Sequence, residues 1–347
     1  MSDDALVGVI ANPASGRDIR RLVAGASVFG NADKAGMVFR LLAGLGAGGV
    51  ERVLMLPAAD GLSTTLHRHL HARRTVPAFA GAGPFPALEE LDVALDGTAR
   101  DSAIAVERMV AAGVRAIVVL GGDGTHRVVA RGCGDVPLCA LSTGTNNAFP
   151  EMRETTVAGI ATGLVATGRA GPDALRREAA LAVELPGLAA DLALVDVAVS
   201  AERFVGARAL WRPHDVSEVF VTFANPSAVG LSAVAGALRP LERGGGRGLH
   251  VRLARDAADA ERVVHVALAP GLVARVPVAA YRVVELDERV EIAPGPGTVA
   301  LDGEREIERR NDEPVTVRLV RGPLTIDVDA VMRHAATDAT PAQPPPG

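Results

Sequence analysis

Val118-Val119-Leu120-Gly121-Gly122-Asp123-Gly124-Thr125 is an apolar run that ends in three glycines around one aspartate. These residue types suit a phosphate-binding turn that carries a catalytic acid. Gly121, Gly122 and Gly124 predict positive φ values and a close backbone approach to a ligand, and the amides of a helix restarting near Thr125 attract phosphate oxygens. Asp123 departs from that pattern. A carboxylate beside phosphates is repelled unless it holds Mg²⁺ or accepts a proton, and both roles serve phosphoryl transfer to a hydroxyl. Taken alone, the motif also suits a plain strand-to-helix turn with Asp123 near the N-cap.

Two more polar loops follow strand-like runs. Asn12-Pro13-Ala14-Ser15-Gly16 offers Asn12 and Ser15 to phosphate or ribose oxygens beside Gly16, and equally reads as a β-turn with Pro at its second position. Thr143, Gly144, Thr145, Asn146 and Asn147 form a set of neutral hydrogen-bonding groups that can orient a nucleotide without adding charge. Three such loops at corresponding strand ends face one crevice.

The elements that must position them alternate in the first half. Leu6 to Ala11, Arg52 to Leu56, Arg115 to Leu120 and Val136 to Leu141 read as strands, with a less defined element at Ala87 to Leu95. Asp18 to Ala24, Asn31 to Leu45, Ser63 to Arg73, Asp101 to Ala112 and Thr156 to Ala166 read as helices, the second capped by Asn31 or Asp33. The expected fold is α/β: an N-terminal parallel-sheet nucleotide-binding domain over residues 1–168, then a β-rich, antiparallel, sandwich-like domain over 169–334. Arg169 to Arg177 is the expected linker. The strand runs of the second domain are Leu181 to Leu185, Asp191 to Ser200, Glu218 to Ala224, Leu249 to Leu253, Val263 to Leu268, Ala279 to Leu286, Val290 to Ile292, Val315 to Leu319 and Leu324 to Val328. Helices are expected at Val205 to Trp211 and Leu231 to Leu238, and a disordered tail over 335–347.

Composition narrows the partners. At 347 residues the chain exceeds one ordinary core, and 48% hydrophobic residues supply packing material. An aromatic share of 3% argues against a surface that stacks bases, and a net charge of −5 gives no basic field for nucleic acid or an anionic membrane. Small-molecule partners are expected instead. No signal peptide or membrane span is expected, so the expected location is cytoplasmic. Cys133 and Cys139 read as reduced and structural.

The motif Gly121-Gly122-Asp123-Gly124-Thr125, with Asn12-Pro13-Ala14-Ser15-Gly16 and Gly144-Thr145-Asn146-Asn147, resembles the clan of NAD kinases, diacylglycerol and sphingosine kinases and, more distantly, phosphofructokinases. Over residues 5 to 330 the chain is most similar to the ATP-NAD kinase-like acetoin catabolism protein X (AcoX) family, including Leu141 to Pro150 and Phe204 to Trp211. The resemblance implies a kinase using ATP and Mg²⁺, commonly homo-oligomeric. Asp123 would then act in catalysis or organise Mg²⁺, and Gly121, Gly122, Gly124 and Thr125 would cradle phosphate. NAD kinases carry an Asn-acid pair that grips the NAD ribose; Val195-Asp196 stands in the matching place, so Asp196 is the acceptor-binding candidate and NAD only one possible acceptor. The segment Ala224-Asn225-Pro226-Ser227 also departs from the NAD kinase pattern, and Asp302-Gly303 resembles a late Asp-Gly turn of both kinase groups. A lipid-type kinase and a non-catalytic nucleotide sensor linked to acetoin catabolism are the alternatives.

Other signals carry less. Gly44-Leu45-Gly46-Ala47-Gly48-Gly49 matches G-x-G-x-x-G, but it follows a helix and precedes a strand, the reverse of a dinucleotide-binding turn, and reads as a helix end. His67, His69 and His71 read as a solvated basic face. His126 could touch phosphate or pack on the sheet, and Gly244 to Gly248 reads as a hairpin loop.

Overall fold

The structure, a computed structural model, describes residues 5–13, 29–58, 61–75, 83–187, 190–202, 213–310 and 313–337. The apolar runs of the first half form β1 (Leu6–Ala11), β2 (Arg52–Met55), β3 (Ala87–Glu90), β4 (Ala116–Gly121) and β5 (Leu138–Ser142). They pair in parallel in the order β3-β2-β1-β4-β5. Helices α1 (Asn31–Ala47), α2 (Leu62–Thr75), α3 (Ala99–Ala111), α4 (Asp123–Gly132) and α5 (Thr155–Ala166) cover the two faces. Alternation along β1 divides the layers: Val7, Val9 and Ala11 pack with Leu41 and Leu45 of α1 and Ala161 of α5, whereas Leu6 and Ile10 pack with Val106 and Met109 of α3 and Val129 of α4. The strand order reverses between β1 and β4. Parallel sheets open a ligand crevice at the carboxyl ends beside such a reversal.

The glycines that imitate a dinucleotide fingerprint serve helix packing. A Cβ on Gly44 would lie 2.1 Å from the Thr156 carbonyl oxygen, one on Gly159 2.4 Å from the Leu41 carbonyl oxygen, and one on Gly48 2.7 Å from the Gly163 Cα. Thus α1 and α5 touch backbone to backbone. The run also ends α1 as expected: Gly48 is its C-cap, and Gly49 follows with φ 86. The α1 N-terminus is capped at Gly30, whose N–H donates to the Asp33 carboxylate at 3.0 Å.

The second half contains β6 (Leu175–Glu184), β7 (Asp191–Ala193), β8 (Asp196–Ser200), β9 (Val216–Val221), α6 (Ser232–Leu238), β10 (Arg247–Leu253), β11 (Arg262–Ala269), β12 (Leu272–Glu285), β13 (Arg289–Glu291), β14 (Gly297–Leu301), β15 (Glu304–Arg309), β16 (Thr316–Ile326) and α7 (Val328–Thr337). The first sheet continues past residue 168 as β5-β16-β6-β7, with β13 on β16, and reaches nine strands. A second, seven-stranded antiparallel sheet has the order β11-β12-β10-β9-β8-β14-β15. Leu181, Val183, Val317 and Leu319 of the first sheet meet Val197, Val199, Phe220 and Val299 of the second in a sandwich core. Helix α6 covers the other face of the second sheet with Val219, Val221, Leu249 and Val251.

Several expectations are corrected. The Asp191 to Ser200 run is two strands in different sheets, because the chain crosses between sheets at Leu194 and Val195. The runs before and after Gly322 are one strand, β16, with an irregularity between Arg321 and Leu324. Residues 175–177 of the expected linker begin β6, and residues 335–337 of the expected tail end α7. Strands β14 and β15 carried no signal in the sequence reading. The expected helices Asp18 to Ala24 and Val205 to Trp211 lie outside the described residues. Among the described residues, no helix is long and apolar enough to cross a membrane.

Candidate functional site

Asp123 is the first residue of α4, after the N-cap Gly122. Its carboxylate accepts hydrogen bonds from the N–H groups of Ala148, at 3.1 Å to each oxygen, and Phe149, at 2.8 Å. The glycine turn after β4 is thereby tied to the loop after β5. Gly121, Gly122 and Gly124 do not adopt the positive φ expected of them; Gly122 has φ −94. Two are glycine because neighbours come close. A Cβ on Gly121 would lie 2.8 Å from Thr125 Cβ, and one on Gly122 would lie 2.9 Å from Asn147 Oδ1. Gly124 differs, since a Cβ there would meet open space.

The three loops converge. Asn12 Nδ2 donates to Thr125 Oγ1 at 2.9 Å, joining the loop after β1 to the first turn of α4. Thr143 N–H donates to the Gly121 carbonyl, and Phe29 N–H to the Thr143 carbonyl. Asn147 Nδ2 donates to Ser142 Oγ at 2.7 Å, and Ser142 Oγ donates to the Gly144 carbonyl at 2.7 Å. Thr143 and Gly144 are buried, Asn146 and Asn147 half-buried and Thr145 exposed. Ser15 and Gly16 lie outside the described residues.

Sequence reasoning missed the supports of these loops. Lys34 of α1 is 1% exposed and donates through Nζ to the carbonyls of Asn12 and Pro13 at 3.0 and 3.2 Å. Arg243 lies over the rings of Phe149 and Phe223 and donates to the Phe149 carbonyl at 2.7 Å, bracing the residue whose N–H faces Asp123. The buried Glu178 accepts from Arg243, Arg176 and Thr325. Only the spacing of Lys34 on a helix face otherwise apolar hinted at burial.

His126 packs on the sheet side and is fully buried, with its ring 5.8 Å from that of Phe149. Its Nδ1 lies 2.8 Å from the Gly122 carbonyl, and burial pushes its pKa down to about 4. A neutral imidazole here stiffens the N-cap and does not reach phosphate. Cys133 and Cys139 are buried free thiols, and burial pushes both pKa values up to about 11. His67 faces Glu90 at 3.4 Å, and His69 packs edge-on to Phe39, without a metal cluster among the described residues.

Asp196 is buried at the corner where the chain changes sheets. Beside it stands Asp302 of the Asp302-Gly303 turn between β14 and β15, buried, with the Arg127 guanidinium 4.0 Å away. Burial, reinforced by the charges of Asp123 and Asp196, pushes the Asp302 carboxyl up to about 8, against the opposing pull of Arg127. Val195, where NAD kinases carry Asn, is 2% exposed and packs with Phe149, Ala180, Leu194 and Phe223. A separate cleft of about 480 Å³ opens beside Ser142, lined by residues that include Phe29, Met37, Met152, Asp33, Arg40 and Glu154.

This arrangement offers backbone amides, neutral side-chain donors and one fixed carboxylate to a small anionic ligand. The comparisons with known proteins agree with the motifs. The model of the ATP-NAD kinase N-terminal domain matches residues 7–170, and that of the acetoin catabolism protein X C-terminal domain matches residues 179–322. Acetoin catabolism protein X of Cupriavidus necator is 47% identical over 336 residues, covering 95% of this chain and 92% of that protein. A solved diacylglycerol kinase structure from Bacillus anthracis str. Sterne covers 94% of this chain and 98% of its own at 14% identity, with a TM-score of 0.42. By its likeness along nearly its whole length, the chain belongs to the acetoin catabolism protein X family.

Proposed function

We propose that the chain is an NAD kinase-like phosphotransferase that moves the γ-phosphoryl group of ATP to a hydroxyl of a small polar acceptor. The observation that carries this reading is the fixed Asp123 carboxylate at a helix N-terminus where three loops meet. Gly121, Gly122, Gly124 and Thr125, with Asn12, Ser15 and Gly16 and the Thr143 to Asn147 loop, are the phosphate and nucleotide ligands in this reading. Gly124 fits it separately: the protein's own packing leaves open space there, room in which a ligand can approach the backbone.

In the reaction Asp123 takes the proton of the acceptor hydroxyl as its oxygen bonds to phosphorus and the bond to ADP breaks. The backbone N–H groups that hold Asp123 keep its carboxylate in one orientation for that step. The oxygen donors suit Mg²⁺, yet among the described residues no group of three or more acids, histidines or cysteines could cage a metal. Asp123 is the residue that would organise Mg²⁺ in place of acting as the base. Bound there, it would supply charge neutralisation.

The burial of Val195 in apolar packing supports an acceptor other than NAD, because no side-chain amide stands there to grip a ribose. Asp196 remains the acceptor-side candidate. The same reading has the enzyme working in the cytoplasm on small soluble molecules, as a homo-oligomer. The test is Mg²⁺-dependent ATP consumption against NAD, NADH, nucleosides, short polyols and diacylglycerol vesicles. Turnover with a soluble acceptor is expected; turnover with vesicles alone would replace the reading with a lipid kinase.

A further inference from the structure

The corner Leu194–Asp196 links the two sheets, and all its backbone groups have partners. The Asp302 carboxylate accepts from Leu194 N–H at 2.9 Å, Val195 N–H at 2.7 Å and Asp196 N–H at 3.3 Å. Asp302 N–H donates back to the Asp196 carbonyl at 2.8 Å. On the other side, Thr222 Oγ1 donates to the Leu194 carbonyl at 2.7 Å and Thr222 N–H to the Val195 carbonyl at 3.0 Å. One carboxylate thus gathers every N–H of the corner that carries Asp196.

The turn itself does not demand that carboxylate. Asp302 and Gly303 have φ of 52 and 79 in a two-residue hairpin, where Asn or Gly serves equally well. Burying an acid beside Asp123 and Asp196 is unfavourable, so its retention calls for another reason. Arg127 supplies the direction. It lies one helical turn after Asp123 on α4, and its guanidinium faces Asp302 across the boundary between the sheets.

We propose that Asp302, paired with Arg127, is a positioning residue: it fixes the Leu194–Asp196 corner and registers Asp196 against the helix that carries Asp123. The catalytic consequence rests on the phosphotransferase reading, whereas the geometry does not. All three N–H groups bond to Oδ1, with Leu194 N–H also reaching Oδ2 at 3.2 Å, and Oδ2 faces Arg127, so one oxygen holds the corner and the other holds the link to α4.

The experiment compares the full-length wild type with Asp302→Asn and Asp302→Ala. Asp302→Ala should speed amide hydrogen exchange at Leu194, Val195 and Asp196 by ~100-fold or more, since their N–H groups lose a buried acceptor, and leave β9 and β10 amides unchanged. Asp302→Asn keeps one acceptor oxygen and should exchange within about tenfold of wild type. In the turnover assay, Asp302→Asn should raise the acceptor KM about tenfold with the ATP KM within twofold. Unchanged exchange at the corner in Asp302→Ala would overturn the proposal. So would an equal rise in both KM values in Asp302→Asn. Should Asp302→Ala fail to fold, an unchanged acceptor KM in Asp302→Asn overturns it. A wild type that binds ADP without turning over would sink the phosphotransferase reading, while the exchange rates still decide the corner.

Discussion

Two peptide N–H groups hold the Asp123 carboxylate in one orientation, the one in which the proposed reaction has it act on a neighbouring hydroxyl. Lys34 and His126 hold the backbone around it from beneath. Replacing Lys34 with Met strips the Asn12 and Pro13 carbonyls of an ammonium donor and should cost about 1–3 kcal/mol of unfolding free energy in urea titrations. His126 makes stability depend on pH. Its folded pKa is depressed to about 4 from 6.5, so between those values the unfolded chain binds a proton that the folded chain does not. That contribution is present above pH 6.5 and is lost as pH falls towards 4. Thermal melts of wild type should show the acid-side loss, and His126→Gln should weaken it.

At the scale of elements, glycine positions separate folding from ligand binding. Gly44→Ala drives a methyl group into the Thr156 carbonyl and should cost about 1–3 kcal/mol, seen as a lower melting temperature. Gly124→Ala meets open space and should change stability by less than about 0.5 kcal/mol, yet weaken ADP binding in calorimetry. The parallel half was legible because buried Val and Ile runs end at glycines and helices show helical spacing; β1, β4 and α5 fall within a residue of their expected bounds. Sheet membership was not legible. The apolar run through Leu194 and Val195 has the pattern of one strand, and only tertiary pairing shows the crossing. Asp123, its loops and the Asp302-Gly303 turn were visible as motifs, whereas Lys34, Arg127 and Arg243 acquire meaning from residues distant in sequence.

For the whole molecule, the nine-stranded sheet makes a boundary at residue 168 a poor place to divide the chain. A fragment of residues 1–168 would leave β5 without β16. Such fragments should be insoluble or unfolded, and the full chain should melt in one calorimetric transition, because β6, β7 and β16 complete a sheet begun by the first half. The same continuity connects Glu178 on β6, through Arg243 and Phe149, to Asp123. The central claim is that this assembly positions Asp123 to accept a proton during phosphoryl transfer. Its most direct test is γ-phosphoryl transfer by wild type and Asp123→Asn, with ADP affinity measured on both proteins. The account predicts a loss of ~100-fold or more in transfer, as for a removed general base, with ADP affinity within a few-fold of wild type; equal transfer by the two proteins would contradict it.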